Sequence, residues 1–569
     1  MRAFFTLPVF RKKAFPAVLA LALGWNAASA QDVSQIGKGK PLTVSGSIGV
    51  EGALNGSSGT GSPVPPLNDY GLNANLTFNI YGWSVPFSAT FYNRNLSYSQ
   101  PFQRYGLSPT YKWITLHAGW RSVAFSPLVF NGVNFLGGGL ELNPGKFRFG
   151  VVYGEFNKAL PEDTSRNRLS AFGTYAYPTY RRTGYAVKLG FGSQKSFVDL
   201  VFFQARDDST SIPRPVIDRF RKPQQNTAGS IIYQQAIGKY LTFRLNTAVS
   251  LYTYDIGSDT LPAGFSSDVA GFNSIQPLRL STQLGYAGDV SLAYKSRRLD
   301  LRGTYRQLSP FYQCMGIYSR LQDVREIRLD GAYRSKNNKA FVNAAFGTDA
   351  NNIAQTKIAT MRRYNVLLNG NYEFTEKFGG NLGYNFYTQS QVKQFSGLPD
   401  TLLSANAMHN LTAGAHYTTT NARAINNVLL AGSFQTGTAS GLNMAANDYQ
   451  SYFLSLNDNY TLLQSKLSLN GGLNFFGNSG YGATSYSVGA NAGATKPFLK
   501  DQLSVGGNVG YFQNFSNYGN GNSATASVQL GYRPGKHHSV SLGGNYTFNH
   551  TAYADYAVYR VQSSYLYTF

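Results

Sequence analysis

The sequence predicts a transmembrane antiparallel β-barrel of 22 to 26 strands, best counted as 26, with no plug domain. Three observations predict it: a leader of the kind removed on export, apolar/polar alternation repeated along nearly the whole chain, and a composition rich in aromatics and glycine but poor in charge. Beyond the leader no apolar stretch approaches the roughly 20 residues that a membrane helix needs. Strands closed into a ring are the other way to satisfy backbone N–H and C=O groups in lipid.

The leader comes first. Residues 1–30 carry Arg2, Arg11, Lys12 and Lys13, then an apolar run from Ala14 to Leu23, then Ala28-Ser29-Ala30. This is the order of a secretory signal peptide, and the run is about half the length of a membrane anchor. Cleavage is expected after Ala30, leaving Gln31 as the mature N-terminus. With no cysteine near the cut, a lipoprotein is not expected. Residues 31–42 then form a short periplasmic segment and residues 43–569 the barrel.

The composition, with 60 Gly, 40 Tyr, 39 Phe and 14% charged residues, suits a wall with one apolar and one wet face. The formal charge of +23 falls to about +19 without the leader. For an exported barrel this fits basic turns, a basic lumen or anionic lipid head groups better than nucleic acid. The single Cys314 excludes an intramolecular disulfide framework and reads as a lone loop residue.

Period-two alternation marks half-buried strands. In LNANLTFNI, Leu72, Ala74, Leu76, Phe78 and Ile80 share one face and Asn73, Asn75, Thr77 and Asn79 the other. So much Asn is out of place in a dry sandwich core but at home in a wet lumen. The pattern returns in RLDLRGTYR (298–306), FGGNLGYNF (378–386), KLSLNGGLNF (466–475), LSVGGNVGY (503–511) and VSLGGNYTF (540–548).

Tight turns at 143–146, 193–196, 295–298, 335–339 and 533–536 alternate with long connections at 158–183, 207–225, 255–277, 308–324 and 389–407. In bacterial barrels short turns are periplasmic and long loops external, so both termini are expected in the periplasm. About 25 strands are evident, and SVAFSPLVF (122–130) supplies a further short one. The end of the chain places Tyr559, Val561, Tyr565, Tyr567 and Phe569 on one face. Tyr565, Tyr567 and the terminal Phe569 resemble the signal that the outer-membrane barrel-assembly machinery reads.

The stretch YGLSPTYKWITLHAGWRSVAFSPLVFNGVNFLGGGLELNPGKFRFGVVYGEFNKA (105–159) resembles large porin-like outer-membrane β-barrels of Bacteroidetes-type Gram-negative bacteria. The likeness extends loosely over the whole barrel. It implies fold and location, and carries no catalytic or ligand residues.

Strands begin about a dozen residues after the expected cut, which leaves no room for the plug of an energised receptor. No room remains for periplasmic assembly repeats either. None of the six histidines (117, 409, 416, 537, 538, 550) has metal-ligand spacing, and no catalytic constellation is visible, so no enzyme activity, metal or cofactor is expected. The glycine runs open no helix after a parallel strand and make poor phosphate loops.

Charges on strands say more. Alternation turns Glu51, Arg148, Lys188, Asp199, Arg244, Asp289, Asp300, Arg302, Arg306, Arg328, Asp330, Arg334 and Glu373 inward, because a basic side chain facing lipid at mid-depth costs about 2–4 kcal/mol. On strands 299–307 and 327–334, Arg302, Arg306, Arg328 and Arg334 meet Asp300 and Asp330, with Glu326 trimming the surplus. These charges read as a stiffening cross-strand ladder that leaves the lumen positive. Basic pairs at Arg181-Arg182, Arg221-Lys222 and Arg362-Arg363 suit solvent or lipopolysaccharide phosphates equally.

Together these features predict a porin-like outer-membrane channel for passive passage of small polar or anionic solutes, with some loops, 255–277 foremost, folded into a wide lumen. The competing expectation is a structural or secretion barrel, part of a surface-assembly complex and filled by a partner protein. Lipid, lipopolysaccharide and the barrel-assembly machinery are the other expected partners; nucleic acid is not.

Mature protein should begin at Gln31, fractionate with outer membranes and show heat-modifiable migration on gels. Recovery as a soluble periplasmic protein would end the barrel reading.

Overall fold

The computed structural model describes residues 42–63, 68–93, 104–162, 178–215, 221–262, 271–318, 322–397, 399, 402–441, 448–480 and 482–569. The expected cleavage residues Ala28, Ala30 and Gln31 lie outside them. The described chain forms a closed antiparallel barrel of 26 strands. Each strand pairs with its chain neighbour, and the first, Leu42–Gly59, pairs with the last, Asp555–Thr568, from Ser47↔Thr568 to Gly59↔Tyr556. That last ladder closes the ring and leaves no free edge for lipid to desolvate.

Twenty-six is reached differently from the sequence count. Residues 122–126 are not a separate strand but the end of Ile114–Ser126, which turns directly into Phe130–Leu142. The extra wall strand is instead an interrupted one, Arg104–Leu107 and Thr110–Tyr111, lying between Trp83–Tyr92 and Ile114–Ser126. Its turn at Lys112-Trp113 carries no Gly, Pro or Asn; Lys112 itself takes the left-handed conformation (φ 51°). Without a turn residue to interrupt it, the alternation from Thr110 to Gly119 reads as a single strand.

The tight turns read from the sequence gather at one rim together with both ends of the barrel, and the long connections gather at the other, which also holds a few short links such as 481–482. At the short-turn rim Tyr81 (φ 48°) and Gly82 (φ 88°) form the two-residue link between Asp69–Ile80 and Trp83–Tyr92, a pairing of positive angles that matches strand twist.

The register assigns every strand an outer and an inner face. Outward positions carry exposed apolar side chains, among them Leu189, Leu200, Ile231, Leu292, Leu382 and Leu473. Outward aromatics pair up close to the short-turn rim, as in Trp83 with Tyr111 (5.1 Å) and Tyr240 with Tyr294 (5.8 Å). An apolar belt edged by rings is the surface that a bilayer stabilises.

Among the described residues, packed interior exists only inside one arc of the ring. There Phe125, Val129, Phe130, Phe135, Val152, Phe156, Phe203, Tyr312 and Met315 form one buried cluster.

The two rims give a test of orientation. Cysteine in place of Asn337, in a tight turn, should resist an impermeant thiol reagent on intact cells, while cysteine in place of Ser396, at the opposite rim, should react. The reverse pattern would invert the barrel in its membrane.

Candidate functional site in the barrel lumen

Two inward elements fill the packed arc. The first is the hairpin tip joining Ile114–Ser126 to Phe130–Leu142. Its ladder breaks register at Ser122, Ala124 and Ser126, which lets the tip bend off the wall. Phe130 is fully buried and touches Phe125 (5.6 Å), Phe156 (6.0 Å) and Phe203 (5.6 Å). Inward glycine makes room for its neighbour Phe125: a β-carbon at Gly150 would lie 2.7 Å from the Phe125 ring.

The second element is the connection after Leu299–Leu308. Tyr312 donates to the Leu128 carbonyl (2.6 Å), Cys314 Sγ donates to the Val129 carbonyl (3.1 Å), and the Asn131 amide donates to the Gly316 carbonyl (2.9 Å). Inward-facing Asn226 accepts from the Met315 amide (3.0 Å) and donates to Ser250 Oγ (2.7 Å), tying this connection to the wall. Gly316 is required here, because a β-carbon would run into the Val129 carbonyl. Burial pushes the Cys314 thiol up to about 12.

The expectation that 255–277 folds inward is corrected. In its described part Gln276 is fully buried between Thr227 (2.7 Å) and Thr253 (2.8 Å), both on the outer face of their strands. Those outward hydroxyls near the long-loop rim offered partners that the dry cluster inside did not.

Below the hairpin runs a polar ladder. Ser108 Oγ lies 2.9 Å from His117 Nδ1, His117 Nε2 lies 3.1 Å from Glu141, and Lys188 reaches the other Glu141 oxygen at 3.2 Å while sitting over the Phe125 ring at 4.8 Å. Arg148 forks onto Asp199 at 2.7 and 2.8 Å. The order Ser, His, acid is that of a nucleophile, its base and its orienting group. Here Lys188 already neutralises Glu141, so the carboxylate does less to stabilise an imidazolium. The arrangement works as a charge ladder that seats the hairpin. Sequence reading saw His117 without partners, because Ser108 and Glu141 reach it only through register.

All thirteen charges assigned inward by alternation lie on the lumen face. Lys188 and Asp199 are buried there, at 7% and 2% exposure. Of the proposed strip, Arg302 stands opposite Asp330, Arg306 stands between Asp289 and Glu326, and Thr304 stands opposite Arg328. Arg328 binds Asp330 along its own strand (2.9 Å) and Arg306 approaches Glu326 (3.8 Å). Asp300 faces Ala332 and Lys295, and Arg334 stacks on Phe341 (5.7 Å). Tyr565 and Tyr567 lie outward beside Val50 and Ile48, with Phe569 against Tyr567 at 4.8 Å.

The remaining arc is different in kind. On the seven consecutive strands from Ala424–Ser440 to His538–His550, no lumen-facing position carries an acid or a base. Polar side chains stand there side by side: Asn427, Asn459 and Asn470 form one row, and Gln435, Ser451 and Asn478 another, which Asn410 and Asn385 continue onto the two preceding strands. Lumen glycines alternate with them. A β-carbon at Gly472 would meet Asn457 and Asn491 oxygens at 2.5 and 2.7 Å, and one at Gly493 would meet Asn470 and Asn508 at 2.7 Å each, so the carboxamides lie down over the glycines. Among the described residues no group of three His, Cys, Asp or Glu could hold a metal ion.

No family model and no curated protein matches the chain. Among solved structures it is similar to the translocation pore of the P pilus usher PapC, at 11% identity over 93% of this chain and 100% of that one, with a TM-score of 0.40. It is also similar to the FrpB iron transporter of Neisseria meningitidis (10%, 92% and 81%, 0.37) and to OccAB4 of Acinetobacter baumannii (12%, 66% and 97%, 0.30).

Cys314 reports on the inward pair. In folded protein it should resist thiol reagents through pH 9, being enclosed and held as the thiol. Phe130→Ala, which removes about 3–5 kcal/mol of packing, or Gly316→Val should make it react; unchanged protection in both variants would mean that the hairpin and connection do not depend on these contacts.

Proposed function

We propose that the chain is an outer-membrane channel that passes small polar solutes passively, with its termini in the periplasm. One observation carries this reading: a neutral arc of hydrogen-bonding side chains lies solvent-accessible beside the packed arc of the same lumen. Strands about 4.8 Å apart and tilted about 40° give a 26-membered ring a girth of roughly 160 Å and a diameter near 50 Å. Sixteen to eighteen strands already leave an aqueous passage. Among the described residues, the hairpin and its partner connection narrow the bore from one side.

Charge contributes a secondary preference. Asp289 and Glu326 offset Arg306, and Asp330 offsets Arg302 and Arg328, so the surplus along this strip is small. Water in the lumen screens it further, beyond about 10 Å at 0.1 M salt. Solutes are therefore selected for polarity and size more than for sign. The terminal tyrosines and Phe569 serve assembly into the membrane, and basic loop residues meet lipopolysaccharide phosphates.

Purified protein in a planar bilayer should conduct, with a small anion-preferring reversal potential in a salt gradient. Replacing Arg302 and Arg328 together by Gln leaves Asp300 and Asp330 without them, and should shift the preference toward cations. Absence of conductance from folded protein would overturn the channel and favour the barrel filled by a partner.

A further inference from the structure

Resting on the channel reading, we infer that the amide-lined arc is a recognition track for neutral polyhydroxylated solutes, of which linear oligosaccharides are the representative class. A carboxamide offers two donors and an acceptor with no net charge, which complements a hydroxyl in either role. Rows such as Asn427, Asn459 and Asn470 repeat that complement from strand to strand. An anion would find no cation on the lumen face of these strands, and a cation no acid.

Aromatic rings complete the track. Phe453 and Phe476 stand side by side on the lumen face, between Ser451 and Ser455 on one strand and Asn474 and Asn478 on the next. They remain 39% and 47% exposed, although outward positions on the same strands would have placed them in lipid. Apolar surface left in water costs about 25 cal/mol per Å². A sugar ring offers the matching surface, a C–H face that covers an aromatic ring while its rim hydroxyls reach the amides.

The hydrogen bonds between rim hydroxyls and the carboxamides are individually weak. Each such bond in water contributes only about 0.5–1.5 kcal/mol. Many weak contacts in sequence let a solute enter and leave, as conduction requires.

The test uses the full-length mature protein in planar bilayers. Maltotetraose should interrupt the ion current in discrete events, whereas polyethylene glycol of equal hydrodynamic size and sodium glutamate should not. Phe453→Ala with Phe476→Ala should shorten the maltotetraose dwell time at least fivefold, as should Asn459→Ala with Asn470→Ala. Two separate substitution sets guard against one failing to fold. Normal conductance with maltotetraose indistinguishable from polyethylene glycol would overturn the track and leave the channel standing. Glutamate events that exceed those of the sugar would overturn the track in favour of an anion path along the charged arc. No conductance would overturn the channel itself and the track with it.

Discussion

Everything in this molecule depends on closing a ring of backbone hydrogen bonds. Lipid offers no partner to an amide or a carbonyl, so an open strand edge would leave a whole row of them unsatisfied. The ladder between Leu42–Gly59 and Asp555–Thr568 removes that edge. Once the ring is closed, period two divides every strand between lipid and lumen, and the chain's aromatic and asparagine content sorts itself without a conventional core.

The lumen then has to be managed. A ring of this girth cannot be filled by wall side chains, and the molecule divides it instead. One arc is packed by the hairpin around Phe130 and the connection around Tyr312, with paired charges such as Arg148 and Asp199 seating them. Buried pairs of this kind fix geometry more than they add stability, since desolvation offsets much of their attraction. The opposite arc has no such filling and no charge to pair, and its glycines let asparagine amides lie flat against the wall.

These two arcs are coupled through position rather than contact. Packing against Gly150, Val152 and Phe203 holds the hairpin to its own side of the ring, so the neutral face stays wet. If the hairpin were released, the passage would widen and the amide rows would meet a larger bore in which a solute touches fewer of them. The passage we propose along the neutral arc therefore depends on a dry cluster on the far wall that no solute needs to touch.

The sequence alone determined the ring and its two faces. Alternation is a local property, so Asn73 and Asn75 could be turned inward, and the thirteen strand charges placed, without knowing any pairing. Tight turns and long connections were legible because their residue types encode backbone angles. What only tertiary structure decided was everything set by register across the ring. His117 meets Ser108 and Glu141, and Asn457 and Asn491 flank Gly472, because the register of successive strands sets them side by side. The inward bend of 122–130 escaped the sequence because an apolar run reads the same whether it continues a strand or leaves the wall. The path of 255–277 escaped it because Gln276 found its partners, Thr227 and Thr253, on the outer surface of two other strands. Periodicity tells each residue which face it occupies; only closure of the ring tells it which neighbours it has there.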